Sequence, residues 1–546
     1  MSKRRDGQPI DPAALAKALA GLAAARGRKR LDLILDQDDP GALVRALPAD
    51  ELYFTIREIG LGDAVELVQL ASAEQFRTFL DLACWAKDRV DPRRALPWLR
   101  AARSGSMDSP RAAARWKAKL DKLDVELLHL ALRETVRVHD LERDPDPDLV
   151  SDRFMQTPEH KFILEFLADG AEYMAVRGLV DDLYAENPFM ATRLLSSIRW
   201  DLTSELEETA LRWRTGRLAD LGYPSREEAL SWFARPAARA ATAPAGTPAR
   251  PPGFFLTLGG TGSLLARASA RLSPNEHEHL ELELVTAANA VLVADSVDPG
   301  DLDAVKGAVD AARAFVEMGL EEAAGLDEAR AAEVLATTAV KALFQRGFGR
   351  VLQLKWRAER LLAAGEAGSL EPPLFHPLLD PPLGEMLAGL ARRRPLYFPG
   401  LEAPREDWGS PAAGSFEHRG FLSSAEVART AGALALTEQL ASLARRLGLI
   451  SARTEGGLAP SLATLYLTAL ANERLGRTFT PDAIAASEVP AATRALEHLG
   501  DPRLASEGDV GSLLASLARQ KAEELAPIRE GAEARPEDVG ALLVKR

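Results

Sequence analysis

The segment Leu47-Pro48-Ala49-Asp50-Glu51-Leu52 is echoed 24 residues later by Ala71-Ser72-Ala73-Glu74-Gln75-Phe76. The shift lays Asp50 on Glu74, Leu52 on Phe76 and Ile56 on Leu80. A short polar start followed by an apolar stripe, given twice, describes helices that cannot cover their apolar faces alone and stack in series. The echo predicts an all-α, multi-segment helical-repeat architecture, superhelical or solenoid-like. Such a fold suits a scaffold or sensor better than a catalyst.

Composition points the same way. Hydrophobic residues make up 47% of the chain but aromatics only 6%, and alanine, leucine, arginine and glutamate dominate. That mixture favours helix over strand, which wants β-branched and aromatic side chains. At 546 residues, a prior of about 150 residues per domain gives three or four domains. The 67 basic residues are outweighed by 80 acidic ones, a net charge of −13, so the global footprint of a nucleic-acid binder is missing. Cys84 is the single cysteine, which excludes an intrachain disulfide and a Cys-rich zinc site. It closes an apolar stripe, Leu82-Ala83-Cys84-Trp85, and reads as a buried, inert thiol. No stretch reaches the roughly 18 uncharged apolar residues of a membrane span, and the N-terminus lacks a secretory signal. The expected location is the cytoplasm.

Six segments follow from the punctuation. Residues 1–30 form a basic tail and docking helix, with Asp11-Pro12 as its start and Leu15, Leu19 and Leu22 on one face. Residues 31–235 read as successive short helices. Asp36, Asp38 and Asp39 before Pro40 mark a helix boundary, and Ser72 with Gln75 makes a capping box. Further starts are expected at Thr157-Pro158-Glu159, with Phe162, Ile163 and Phe166 turned inward, at Ser204 with Glu207, and at Ser225 with Glu228. Trp85, Trp98, Trp116, Trp200, Trp213 and Trp232 lie in this part and read as core, or as interface anchors where they are not. Residues 236–253 are a Pro/Ala-rich linker. A middle helical domain spans 254–370, with Ser273-Pro274-Asn275-Glu276 as a complete helix start. Residues 371–415 are a Pro-rich connection with one helix. A C-terminal helical domain covers 416–546, with starts at Ser423 and at Thr480-Pro481-Asp482 and a frayed end from Gly531.

The constellations that could carry chemistry are weak. His277 and His279 stand two apart on a helix, about 200° from each other, whereas metal ligands need spacing of three or four. Asp144-Pro145-Asp146-Pro147-Asp148 imitates a calcium loop, but Leu149 and Met155 stand where glycine and glutamate are required. An extended linker is the better reading. Leu258-Gly259-Gly260-Thr261-Gly262-Ser263 lacks the lysine of a phosphate loop and reads as a domain entry. No nucleophile elbow occurs. Arg392, Arg393 and Arg394 fit a helix C-terminus, favoured by its dipole, or an anion or partner site.

The stretch from Leu31 to Leu99 resembles the intracellular N-terminal superhelical domain of MgtE-type magnesium transporters, a fold akin to the flagellar switch protein FliG. The residues that carry it are Ala46 to Leu52, Gly62-Asp63-Ala64-Val65-Glu66-Leu67-Val68, Ala73-Glu74-Gln75-Phe76 and Leu80-Asp81-Leu82. The resemblance implies a regulatory module, with magnesium sensing as a possible duty. No transmembrane segment follows, so it does not imply transport. The whole length also looks like an uncharacterised bacterial family. That impression rests on Ser204 to Glu208 with Leu211-Arg212-Trp213, and on Ala287 and Asn289 through Asp295.

Together these observations predict a non-catalytic scaffold or regulator working through protein–protein contact, with no cofactor and no catalytic or metal residues assigned. The candidate partner contacts are Tyr53, Trp85, Trp98, Arg392, Arg393 and Arg394. The alternatives are a magnesium-responsive regulator and an enzyme whose site is assembled from distant helices.

Overall fold

A computed structural model describes residues 21–22, 25, 27–86, 89–198, 200–234, 262–363, 379–449, 460–529 and 539–545. The architecture is all-α, with a few short strands. The tail before Gly21, the Pro/Ala-rich linker and most of the Gly-rich entry lie outside the described residues. The chain divides into two compact units, residues 1–316 with 323–344 and residues 317–322 with 345–546.

Unit 1 begins with α1 (Gly27–Leu35), α2 (Pro40–Ala46), α3 (Ala49–Ile59), α4 (Val65–Leu70) and α5 (Ala73–Ala83). The echo in the sequence is a repeat in space, because α3 and α5 are both 11 residues long and start 24 positions apart. Leu52 and Ile56 of α3 are buried, as are their counterparts Phe76 and Leu80 of α5. After the hairpin β1 (Trp85–Ala86) and β2 (Arg89–Val90) come α6 (Ala95–Arg103), α7 (Pro110–Leu120) and α8 (Val125–Thr135). Alternate helices pack on one another, α1 on α3, α3 on α5 and α5 on α7, while α2 packs on α4 and α4 on α6. Two rows of helices therefore share one core.

Local chemistry fixes the joints. Asp39 caps α2 by accepting from the Ala42 amide at 2.8 Å, with Pro40 in the first turn. Ser72 and Gln75 form the expected capping box. Gln75 also reaches back across the repeat, and its Nε2 donates to the carbonyls of Val44 and Leu47, each at 2.8 Å. The C-terminal end of α2 thus gains a side-chain donor from the start of α5, in addition to the Leu47 amide that already donates to the Val44 carbonyl at 3.2 Å. Arg30 of α1 and Glu51 of α3 form an ion pair with both groups buried.

The helix expected from Thr157 is instead a hairpin. β3 (Val136–Asp140), β4 (Phe154–Gln156) and β5 (Phe162–Phe166) make an antiparallel sheet in the order β3-β5-β4, with Val138 opposite Leu164. Phe162, Leu164 and Phe166 alternate into the core, a period of two that outweighs the helix-start signal at Thr157-Pro158. Thr157 closes the turn, its hydroxyl accepting from the Phe162 amide at 3.1 Å. Glu165 lies on the other face, buried, accepting from the amides of Val150 at 2.7 Å and Ser151 at 2.6 Å and lying 3.0 Å from His139. Burial opposes its charge, but these partners and Arg137 hold the carboxyl below the usual range. The acidic Pro-Asp run is the loop between β3 and β4.

Next come α9 (Gly170–Glu186), α10 (Pro188–Ser197), α11 (Thr203–Asp220) and α12 (Arg226–Ser231). Ser225 and Glu228 form their capping box. Ser204 lies inside α11 and makes no cap, since Leu202 takes that position. Trp85, Trp98, Trp116 and Trp232 are core, whereas Trp200 and Trp213 are 63% and 53% exposed. Unit 1 continues with α13 (Leu264–Ser269) and α14 (Pro274–Ala294), the latter started by the full Ser273–Glu276 box. Then follow α15 (Leu302–Ala324), of which residues 317–322 belong to unit 2, α16 (Glu328–Thr337) and α17 (Val340–Ala363), which passes into unit 2 after Phe344. α12 packs on α14, and Trp232 and Phe233 meet Phe344 edge-on at 5.5 and 5.2 Å. The segments before and after the linker therefore share unit 1.

Unit 2 contains α18 (Leu383–Ala391), α19 (Pro411–Gly414), α20 (Ser424–Arg446), α21 (Leu462–Arg474), α22 (Val489–Ala495), α23 (Pro502–Ala505), α24 (Gly508–Ala522) and α25 (Ala526–Arg529). α24 packs on both α20 and α21. Ser423 caps α20 as expected. No helix starts at Thr480. Asn472 donates to the carbonyls of Thr480 at 3.0 Å and Asp482 at 2.8 Å, which holds this stretch extended into β6 (Ile484–Ala485). The expected fraying also fails for residues 539–545. Val539, Ala541 and Leu542 are buried, and β7 (Val544–Lys545) pairs in parallel with β6.

Candidate functional site

One cavity in unit 1 has a volume of about 520 Å³ and is walled by three segments far apart in the chain. Leu82 and Trp85 come from the end of α5 and the start of the hairpin. Leu211, Arg214, Thr215 and Leu218 come from α11, where spacing of three and four puts them on one helix face. Tyr223, Pro224, Ser225 and Arg226 follow at the turn into α12. Leu292, Val293, Ser296, Val297, Asp298 and Pro299 close the wall from the end of α14.

Each wall is anchored. Arg217, one turn along from Arg214, grips Asp81 of α5 through two bonds of 2.7 and 2.6 Å, and reaches Asp124 at 2.6 Å. Burial pushes the Asp81 carboxyl up, against the opposing pull of Arg217. Arg214 donates from Nε to the Asp81 carbonyl at 2.8 Å, and its guanidinium lies 5.0 Å over the Trp85 ring. The turn at Gly222 is tied to α14 by buried Asn289, which donates to the Gly222 carbonyl at 3.1 Å.

The floor is apolar, formed by Leu82, Trp85, Leu218 and Leu292, all buried. Thr215, Ser225 and Arg226 stand exposed at the rim. Arg226 Nη1 donates to the Ser296 hydroxyl at 3.3 Å. Ser296 itself has φ of 54°. It follows the cap Asp295, and Val297 N donates to Leu292 O at 2.9 Å, a helix ending whose left-handed residue is usually glycine. Asp298 is committed elsewhere, to Arg94 at 2.8 Å and to the Gly300 amide at 2.8 Å. Tyr223 is buried, and among the described residues its hydroxyl has no hydrogen-bond partner. Burial drives that phenol far above its ordinary pKa. Cys84, beside this wall in sequence, is fully buried, and burial likewise pushes its thiol up, which removes thiolate chemistry.

The residues singled out from the sequence fall into three places. Tyr53 and Trp98 are buried together in the helical core, and their burial withdraws them from direct partner contact. Trp85 is buried too, but one wall of the cavity is its ring. Arg392, Arg393 and Arg394 follow the end of α18 in unit 2, where Lys355 donates to the carbonyls of Ala391 at 3.2 Å and Arg392 at 2.7 Å. Sequence reasoning missed Arg214, Tyr223, Arg226 and Ser296. The Leu211/Arg214/Thr215/Leu218 spacing was the available signal for the first; nothing local marks Ser296.

A second cavity of about 380 Å³ lies beside β3, where Arg133, Arg137, His139 and Arg143 share the wall with Asp140 and Asp144. Its arginines are engaged. Arg137 reaches Glu165 at 3.3 Å, and Arg143 lies 4.9 Å over the Trp200 ring. Among the described residues no group of three or more His, Cys, Asp or Glu is gathered to hold a metal ion, and no helix is long and apolar enough to cross a membrane.

The model of a family of unknown function, DUF6178, matches residues 8–538. No curated protein matches the chain, and no solved structure does.

Proposed function

The chain belongs to the DUF6178 family of unknown function, and we propose that it is a non-catalytic regulatory protein of the bacterial cytoplasm. In this reading a small ligand enters the cavity of unit 1, and the response is passed on through contact with a protein partner. One observation supports the reading above the others: the cavity joins segments at residues 82–85, 211–226 and 292–299. A ligand touching all three favours the arrangement in which they are closed together, and so shifts the balance between conformers of the stacked helices. The volume falls within the range of about 300–1,000 Å³ common for small-molecule sites. The polar groups fixed around it, Arg214 on Trp85 and Asp298 on Arg94, orient rather than react.

The repeat of α2–α3 in α4–α5 supports a likeness to the MgtE-type regulatory domain, as a helical module without transport. Stacked helices offer broad faces for a partner, and exposed Trp200 and Trp213 are the aromatic anchors we assign to that contact.

Native mass spectrometry of the protein purified gently from its own cells tests the ligand. The wild type is expected to carry a non-covalent adduct of small-molecule mass that Thr215→Trp, a substitution at the exposed rim, removes. An adduct-free wild type, or one indistinguishable from the variant, overturns the reading.

A further inference from the structure

We infer that the ligand of this cavity is a small amphipathic acid, with its anionic head at Arg226 and Ser296 and its apolar chain along Trp85, Leu218 and Leu292. The inference rests on the reading of the cavity as a ligand seat and adds the chemical class.

Charge accounting gives the head. Two arginines and one aspartate line the cavity. Asp298 is neutralised by Arg94 at 2.8 Å, outside the lining. Arg214 is held over Trp85 and on the Asp81 carbonyl. Among the described residues Arg226 faces no carboxylate within ion-pair distance, and its recorded contact is the neutral Ser296 hydroxyl. One positive charge is therefore left at the rim for one anion, and a guanidinium suits a carboxylate.

Backbone strain marks the same spot. Ser296 adopts φ of 54° where glycine would be less costly. A side chain held in a strained conformation on a cavity wall is what a binding role for its hydroxyl accounts for. The chain end follows from the floor, which is made of buried leucines and an indole face.

Titration calorimetry of the full-length protein with hexanoate, octanoate and decanoate, all below micelle formation, reads the prediction directly. One equivalent is expected to bind, and each added methylene should tighten Kd by about fourfold. Decyltrimethylammonium, with the same chain and opposite charge, is expected to bind at least tenfold more weakly. Arg226→Glu should weaken decanoate at least tenfold and bring the cation to parity, while Thr215→Trp abolishes binding of both. Both variants change exposed side chains, and unchanged circular dichroism confirms that they fold. No heat with decanoate, equal affinity for acid and cation, or indifference to Arg226→Glu overturns the inference. If the protein from its own cells carries an adduct that Thr215→Trp removes while decanoate fails, the chemical class is wrong and the ligand seat stands. If no adduct is found either, the seat itself falls.

Discussion

The indole of Trp98 lies nearly parallel to the phenol of Tyr53, with ring centroids 5.4 Å apart and planes at 20°. Phe79 joins them, 5.4 Å from Trp98, so α3, α5 and α6 meet on one aromatic cluster. Trp98→Ala should cost about 3–5 kcal/mol in equilibrium urea unfolding of the full chain, the usual loss for a buried indole. A loss below about 1 kcal/mol would contradict its place in the core.

Asp50 sits in the first turn of α3, buried, with one oxygen accepting from the Glu51 amide at 2.9 Å. Burial raises its pKa from 3.8 to about 7. A carboxyl raised on folding binds its proton more tightly in the folded state. The stability it contributes is complete below about pH 3.8 and is lost as pH climbs through about 7. A shift of that size corresponds to about 4 kcal/mol as an upper bound. Asn at this position keeps an acceptor and has no charge to bury. The melting temperature of Asp50→Asn minus that of the wild type should therefore be more positive at pH 8 than at pH 5. A difference independent of pH would contradict the burial of a titrating Asp50.

Arg217 holds Asp81 and Asp124 at once, with side chains 18%, 6% and 16% exposed. Removing one partner of a buried pair strands the other charges, so Arg217→Ala should lose about 3–5 kcal/mol in thermal or urea unfolding. Adding Asp81→Asn to that variant should recover part of the loss, because the stranded carboxylate is gone. Losses that simply add would dismiss the coupling.

Ser296→Gly should stabilise the protein by about 0.5–1 kcal/mol, since glycine takes the left-handed conformation without steric cost while adding freedom to the unfolded chain. The same change should weaken decanoate binding. A destabilised variant, or one that binds decanoate as the wild type does, would detach the strained backbone from the site.

The sequence was informative where causes are local. The echo from Asp50 to Glu74 located α3 and α5, because burying alternate turns of two short helices leaves its mark every three or four residues. The boxes at Ser72, Ser225 and Ser273 formed because both members lie within one turn. It misled at Phe162-Ile163-Leu164-Glu165-Phe166, where the strand is decided by pairing with Val136 to Asp140, more than 20 residues earlier. It also misled at Thr480, where Asn472 supplies the hydrogen bonds a helix would have made. Trp98 read as core and is buried; Tyr53, which read only as a partner contact, is buried against it. The cavity was hidden for a different reason. Trp85, Arg214 and Ser296 are brought together only by packing of α5, α11 and α14, and no window of sequence contains all three.

The most direct measurement is a crystal structure of the protein as isolated from its own cells, without solvent extraction. Non-protein electron density is predicted in the cavity, elongated along Trp85, Leu218 and Leu292, with a branched polar end within hydrogen-bond reach of Arg226 and Ser296. A cavity closed by the protein's own side chains, or holding only ordered water, would contradict the account.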